Sequence, residues 1–198
     1  MTVPESRKPN SSSLFISWVN NLNPKHVSFP AHGSSVVTSL IFSRGRIISA
    51  SDDHSIRVYS PATGKLVRSL EGHEGGVWAL AARKDTLVSG STDRTVRIWD
   101  LSTGKCTHVF GGHTSTVRCL SIVKPELISV ERDGVVTKEK WPKRPLIVTG
   151  SRDHSLRVWA LPRPGDVESR CFGPDKTGVD LAEAGVSEHR DCPSRTFN

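Results

Sequence analysis

Residues 89–100 read Ser-Gly-Ser-Thr-Asp-Arg-Thr-Val-Arg-Ile-Trp-Asp, and the same arrangement occurs twice more in the chain. Its counterparts are SASDDHSIRVYS at 49–60 and TGSRDHSLRVWA at 149–160. Upstream of each lies a second recurring segment: AHGSSVVTSL from Ala31, GHEGGVWAL from Gly72 and GHTSTVRCL from Gly112. Asp53 and Asp93 are 40 residues apart, Asp93 and Asp153 are 60 apart, and His32, His73 and His113 are separated by 41 and 40. The second aspartate interval is therefore one period plus an insertion, which falls at 124–143. Apolar residues alternate with polar ones in short runs divided by turn residues, the pattern of half-buried strands. In the second unit VWALAA reads as the inner strand, TLVSGS as the next, TVRIWD as the third and KCTHVF as the outer one. Asp100-Leu-Ser-Thr-Gly104 is the turn between the last two, and Ser60-Pro-Ala-Thr-Gly64 is its equivalent.

A period of 40 with paired Gly-His and Trp-Asp signals is the signature of WD repeats, in which each repeat supplies four strands of a β-propeller. The expected fold is all-β: a partial WD-repeat propeller of about three four-stranded blades in an open array, with disordered tails. Residues 1–21 read as a disordered leader and 22–162 as the repeats, in units of about 32–72, 73–112 and 113–160. The insertion reads as a flexible loop or as non-coding sequence translated into protein. From Leu161 onward the chain carries PRPG, GP, TG, AG and CP punctuation, and residues 163–198 read as a disordered or irregular tail. Closed propellers have four to eight blades, so three units point to a fragment, a truncated gene product or a piece that needs a partner.

The resemblance to WD repeats also implies a structural role for the recurring polar residues. His73, Ser89, Asp93 and Trp99 would form one hydrogen-bonded tetrad, and His113, Thr149, Asp153 and Trp159 another. In the first unit Tyr59 stands in place of tryptophan beside His32, Ser49 and Asp53. A Ser/His/Asp set invites a catalytic-triad reading. Catalysis needs one such set, whereas this one occurs three times in register, as scaffolding requires.

Other classes are disfavoured. The chain has no P-loop, GxSxG or HExxH, so no enzyme, cofactor or metal is expected. No apolar run is long enough for a membrane helix, and MTVPESRKPNSSS lacks the layout of a secretory signal. Cys106 and Cys119 fall in strand-like segments and read as buried free thiols, which favours an intracellular, nuclear or cytoplasmic, protein. The net charge of +7 favours anionic partners, yet with 6% aromatic residues a nucleic-acid stacking platform is poorly supplied.

Where repeats share a framework, the differing columns carry specificity. One such column is Thr38, Trp78 and Arg118, each preceded by valine. Another is Asp52, Thr92 and Arg152, and a third is His54, Arg94 and His154. If the fold is right, Arg94, Arg118 and Arg152 converge on one rim, with Ser115 and Thr116 beside them. Guanidinium forks match phosphate oxygens and stay charged, and Trp78 adds an apolar surface suited to an aliphatic or proline residue.

At these residues the match becomes closer. LEGHEGGVWAL, LVSGSTDRTVRIWD, VFGGHTSTVRCL and IVTGSRDHSLRVWALP resemble the fungal cell-division-control F-box/WD-repeat proteins over about residues 22–162. The resemblance implies substrate recognition in an SCF-type ubiquitin ligase, with phosphorylated Thr-Pro degrons bound on the propeller. Carried over, Arg118 and Arg152 match phosphate-binding arginines, Arg94, Ser115 and Thr116 match flanking contacts, and Trp78 matches the pocket beside the phosphothreonine. No F-box segment is legible, so SCF components are expected partners only if the full-length protein carries one. The competing reading is a plain WD scaffold that holds protein complexes without reading phosphate.

Overall fold

The computed structural model describes residues 28–132, 134–163, 166–167, 169–172 and 194–197. All regular elements among them are strands. The first blade is an antiparallel sheet in chain order: β1 (Val37–Ser43), β2 (Arg46–Ser51), β3 (Ile56–Tyr59) and β4 (Leu66–Leu70). The second repeats it with β5 (Val77–Arg83), β6 (Thr86–Ser91), β7 (Val96–Asp100) and β8 (Cys106–Gly111). In the third, β9 (Val117–Val123) is followed by β10 (Glu126–Arg132) and β11 (Val135–Trp141), which pair only with each other. The blade then resumes with β12 (Leu146–Ser151) and β13 (Leu156–Ala160).

Two expectations are corrected here. The insertion is not a loop: its residues form a β10–β11 hairpin, almost wholly exposed, at the outlet of β9. The tail reading for 163–198 misses two short strands. β14 (Ser169–Phe172) adds in parallel to the outer edge of β8, and β15 (Ser194–Phe197) pairs antiparallel with β13 and supplies the third blade's fourth strand. Unpaired edge strands attract any chain able to bond to them, so the tail closes edges that the repeats leave open. Residues 164–165, 168, 173–193 and 198 of the tail, and the leader at 1–21, lie outside the described residues.

The core lies between blades. Ile48, Ala50, Ile56, Val58 and Leu70 of the first blade pack on Val77, Leu80, Leu87, Trp99 and Leu101 of the second. Val88, Val96, Ile98 and Phe110 of the second pack on Val117, Ile147, Trp159 and Leu161 of the third. Each blade thus has a front face, carrying the tryptophan, that meets the rear face of the blade before it. Phe110 stacks on Trp159 with ring centroids 5.0 Å apart. Gly90 is a point of close approach between the second and third blades, because a Cβ there would lie 2.6 Å from Val117 Cγ1 and 3.0 Å from its Cβ. Cys119 departs from expectation: it is exposed, whereas Ala79, its equivalent in the second blade, is buried. No fourth blade among the described residues covers that face.

The tetrads cross each blade. His73 Nδ1 lies 2.7 Å from Asp93 Oδ2, and its Nε2 lies 2.7 Å from Ser89 Oγ, which also accepts the Trp99 indole N–H at 2.8 Å. In the third blade His113 meets Asp153 at 2.8 Å and Thr149 at 2.9 Å, and Trp159 donates to Thr149 at 3.1 Å. An ionised aspartate only accepts, so Nδ1 carries the proton and Nε2 accepts from the hydroxyl. One directed relay then runs tryptophan to hydroxyl to imidazole to carboxylate. The first blade keeps His32–Asp53 at 3.0 Å and His32–Ser49 at 2.8 Å, but Tyr59 leaves the relay. Its hydroxyl donates to the Ala31 carbonyl, and its ring packs on Phe29.

Two further serine/threonine columns, not singled out in the sequence, complete the network. Ser55, Thr95 and Ser155 donate to the aspartate Oδ1 at 2.6, 2.7 and 2.7 Å. Ser51, Ser91 and Ser151 accept the aspartate N–H at 3.1, 3.1 and 3.2 Å. Burial alone would raise the Asp93 and Asp153 carboxyls, but these bonds and the imidazoles outweigh it and hold both far below the usual carboxylate range. Burial pushes the His73 and His113 imidazoles down, and their aspartates only partly offset it.

These shifts set the pH response. The unfolded chain takes protons on histidine below about pH 6.5 and on aspartate below about pH 4, while the folded protein takes them only at lower pH. Stability therefore rises with pH through both windows and is lost in acid. A series of thermal melts should show Tm falling first between pH 7 and 5, then steeply below about pH 4. Asp93→Asn should cost about 2 kcal/mol, the worth of a charge-assisted bond, and flatten the lower limb. Gly90→Ala should cost about 1–3 kcal/mol by overpacking the blade interface, read from chemical denaturation.

Candidate functional site

The strand order places the starts of β1, β5 and β9 at one end of the array, together with the β2–β3, β6–β7 and β12–β13 turns. The β10–β11 hairpin leaves from the opposite end, where β9 finishes. All three variable columns of the sequence lie on the first end, and the backbone shows why they are free to vary.

Each inner strand opens with a bulge. Val37 pairs with Ser51 and Ser39 with Ala50, which passes over Thr38. The second blade passes over Trp78 and the third over Arg118 in the same register. A bulge leaves one residue out of the ladder and re-aims its side chain. Here it lets Val77 and Leu80 share the core-facing side while Trp78 is released from it. The bulged residues reach between blades. Thr38 Oγ1 donates to the Val77 carbonyl, and the Arg118 guanidinium lies over the Trp78 ring, 4.3 Å from its centroid.

The facing turns carry the other two columns. Arg94 sits at φ 69°, with His54 at 70° and His154 at 67° in the equivalent places. Side chains with a Cβ seldom adopt this left-handed conformation. It is held by the Arg94 N–H donating to the Ser91 carbonyl at 3.2 Å and by the Thr95 N–H donating to Asp93 at 2.9 Å. The Arg152 N–H donates to the Thr116 carbonyl at 3.0 Å, and Ser151 Oγ donates to the Ser115 carbonyl at 3.1 Å. Framework bonds therefore fix where Arg94, Ser115, Thr116 and Arg152 stand, and their side chains remain available.

The charge distribution is uneven around this rim. Arg94, Arg118 and Arg152 are exposed, and none of the ion pairs among the described residues uses them. Ser115 and Thr116 are half-buried beside them. The Trp78 indole N–H is buried without a partner. The first blade contributes Asp52 and Thr38 instead, so the cationic sector spans the second and third blades only. The structure thus brings Trp78 and Arg118 into contact and ties Arg152 to Thr116, with Arg94 on the neighbouring turn of the same rim. Such a sector can bind an anionic group with an apolar neighbour.

The comparisons with known proteins agree with this architecture. The family described as "WD domain, G-beta repeat" matches residues 23–60, 64–100, 104–137 and 140–160. These four segments map onto three blades: 64–100 and 104–137 each take the outer strand of one blade with inner strands of the next, and the third blade is divided between 104–137 and 140–160. Cell division control protein 4 of Candida albicans is 49% identical over 146 residues, which is 73% of this chain and 21% of that protein. F-box/WD repeat-containing protein 7 of Drosophila melanogaster is 41% identical over 64 residues, 32% of this chain and 5% of that protein. The chain thus spans about a fifth or less of the length of these relatives. The WD40 β-propeller domain of Doa1 superposes with a TM-score of 0.51 at 25% identity, covering 67% of this chain and 39% of that one. With three framework locks in register and a family match over most of its length, this chain belongs to the WD-repeat family.

Proposed function

We propose that the cationic rim reads phosphorylated Thr-Pro segments of partner proteins, and that the chain is the substrate-recognition part of an SCF-type ubiquitin ligase or a remnant of one. Protein binding is the ordinary business of WD-repeat propellers, and the relatives include proteins named for cell division control and for an F-box. The observation that carries the phosphate reading is the set of three exposed arginines on one rim, none in an ion pair, with Arg118 against Trp78. A phosphate dianion can accept from Arg118 and Arg152, with Ser115 and Thr116 as hydroxyl donors. Trp78, half-buried beside Arg118, supplies an aromatic surface suited to the flat, apolar ring of a following proline. No bond is made or broken in this reading; transfer of ubiquitin belongs to partner proteins.

The test is a thermal melt of the chain with a doubly phosphorylated Thr-Pro peptide, against the same peptide unphosphorylated. A ligand that binds only the folded protein raises Tm by mass action, so only the phosphopeptide should shift the transition. Arg118→Ala and Arg152→Ala should each weaken binding by about tenfold or more, the equivalent of one charge-assisted bond. Equal shifts from both peptides, or arginine variants that bind as well as the wild type, would leave the plain scaffold reading in its place.

A further inference from the structure

The hairpin that lengthens the third blade is a pair of strands without a sheet. Among the described residues β10 and β11 pair only with each other, so each leaves one backbone edge without a partner strand. A two-stranded hairpin is marginal by itself in water, and a third strand is the ordinary remedy. Open edges also accept extended segments of other proteins, which add as a further strand.

The register divides the hairpin's side chains between two unlike faces. On one, Leu127 stands opposite Lys140, Ser129 opposite Lys138 and Glu131 opposite Val136. On the other, Ile128 stands opposite Glu139 and Arg132 opposite Val135, with Trp141 opposite Glu126 at the base. Arg132 and Glu139 answer each other's charge at 3.3 Å. Lys138 and Lys140 are exposed and take part in none of the ion pairs among the described residues. Two lysines at alternate positions of one strand repel the same edge of another copy and favour an acidic strand beside them.

The turns at this end carry the same sign. Arg44 and Lys84 sit at φ 49° and 55° in the β1–β2 and β5–β6 turns, where glycine or asparagine is the easy choice. Asp85, the acid between these turns, is engaged by Arg44 and Arg46, both at 3.0 Å. The Leu101 N–H donates to the Asp85 carbonyl at 2.7 Å, which draws in the β7–β8 turn and its Lys105. In the third blade Val123 pairs with Leu146, so Lys124 and Arg144 flank the end of that ladder. Lys84, Lys105, Lys124 and Arg144 are exposed and in no ion pair among the described residues.

The hairpin decides among anionic partners. Its edge offers backbone groups in register, which a polypeptide matches and a nucleic acid does not. A membrane surface takes an apolar face, whereas Glu131 and Glu139 put a negative charge on each face of the hairpin. We infer that the end opposite the arginine rim docks an acidic, extended segment of a partner protein, added as a strand along β11. Acidic side chains at alternate positions of that segment meet Lys138 and Lys140. The residues between them meet Val135 and Trp141, which are 61% and 59% exposed. The basic turns attract the segment and hold its continuation. This inference stands apart from the phosphate reading, since neither the hairpin nor these turns include Arg94, Arg118 or Arg152.

Fluorescence anisotropy of a labelled peptide of alternating glutamate and valine, as long as β11, tests it. The peptide should bind the chain, and the same peptide with lysine for glutamate should not. Lys138→Glu combined with Lys140→Glu should weaken the acidic peptide by about tenfold or more, as like charges set against each other do. The double variant should accept the lysine peptide instead, a gain that a misfolded protein cannot produce. Lys84→Glu with Lys124→Glu should slow association without changing which peptide is preferred. Arg118→Ala should bind the acidic peptide as the wild type does, so failure at the rim and failure here are separable. No binding of the acidic peptide, or binding indifferent to Lys138 and Lys140, overturns the proposal. Tighter capture of duplex DNA, or of vesicles of phosphatidylcholine with phosphatidylserine, overturns it as well.

Discussion

A blade of this kind has two apolar faces and only one neighbour on each side to cover them. That constraint organises everything else. A single four-stranded sheet of this size has no interior, and its tryptophan, isoleucines and valines become core only when the next blade arrives. Trp99 and Trp159 are almost fully buried because a preceding rear face receives them. Tyr59 has no such face before it among the described blades, and it turns to Phe29 and to a backbone carbonyl. The change of residue type thus coincides with the change of surroundings.

The relay of indole, hydroxyl, imidazole and carboxylate works within that packing. Its members are buried polar groups, which are tolerable only when satisfied. Each has a partner, and the extra serines and threonines saturate the aspartate. The result is a rigid frame that fixes the turn bearing the variable residue. Backbone bonds then set the position of Arg94 or Arg152, while the bulge sets that of Trp78 or Arg118. Stability and specificity are separated residue by residue: alternate columns serve the lock and the rim, and the rim can change without loosening the blade.

Much of this was legible in the sequence because periodicity reports on whatever is repeated. The three blades, their strands and the His-Asp-Ser-Trp columns all recur at a fixed pitch. What was not repeated was misread or missed. The hairpin has no counterpart in the other units, and its exposed apolar residues follow no core pattern. The tail strands are short and are defined by edges that exist only after the blades have formed. The outlook of Cys119 depended on whether a neighbour covers it, which its own alternation could not reveal. Tyr59 occupies the tryptophan column, yet its longer reach and hydroxyl suit a different acceptor. On the rim, the column of Thr38, Trp78 and Arg118 was visible, but the bulge that frees it is a matter of register and appears only in the paired strands.

The hairpin also changes the order in which the molecule can assemble. In the second blade His73 and Asp93 are 20 residues apart, and bringing them together closes a short loop. In the third, His113 and Asp153 are 40 apart because the hairpin lies between them. Doubling a flexible loop adds about 0.6 kcal/mol of closure entropy, and less once the insert has folded on itself. The hairpin's own ends are close together, so its early formation shortens the effective tether. Local pairs form before distant ones, and the third blade additionally waits for β15, whose partner strand lies more than thirty residues upstream. The locks of the first two blades are thus local in sequence, 21 and 20 residues across, while the third blade depends on the most distant contacts.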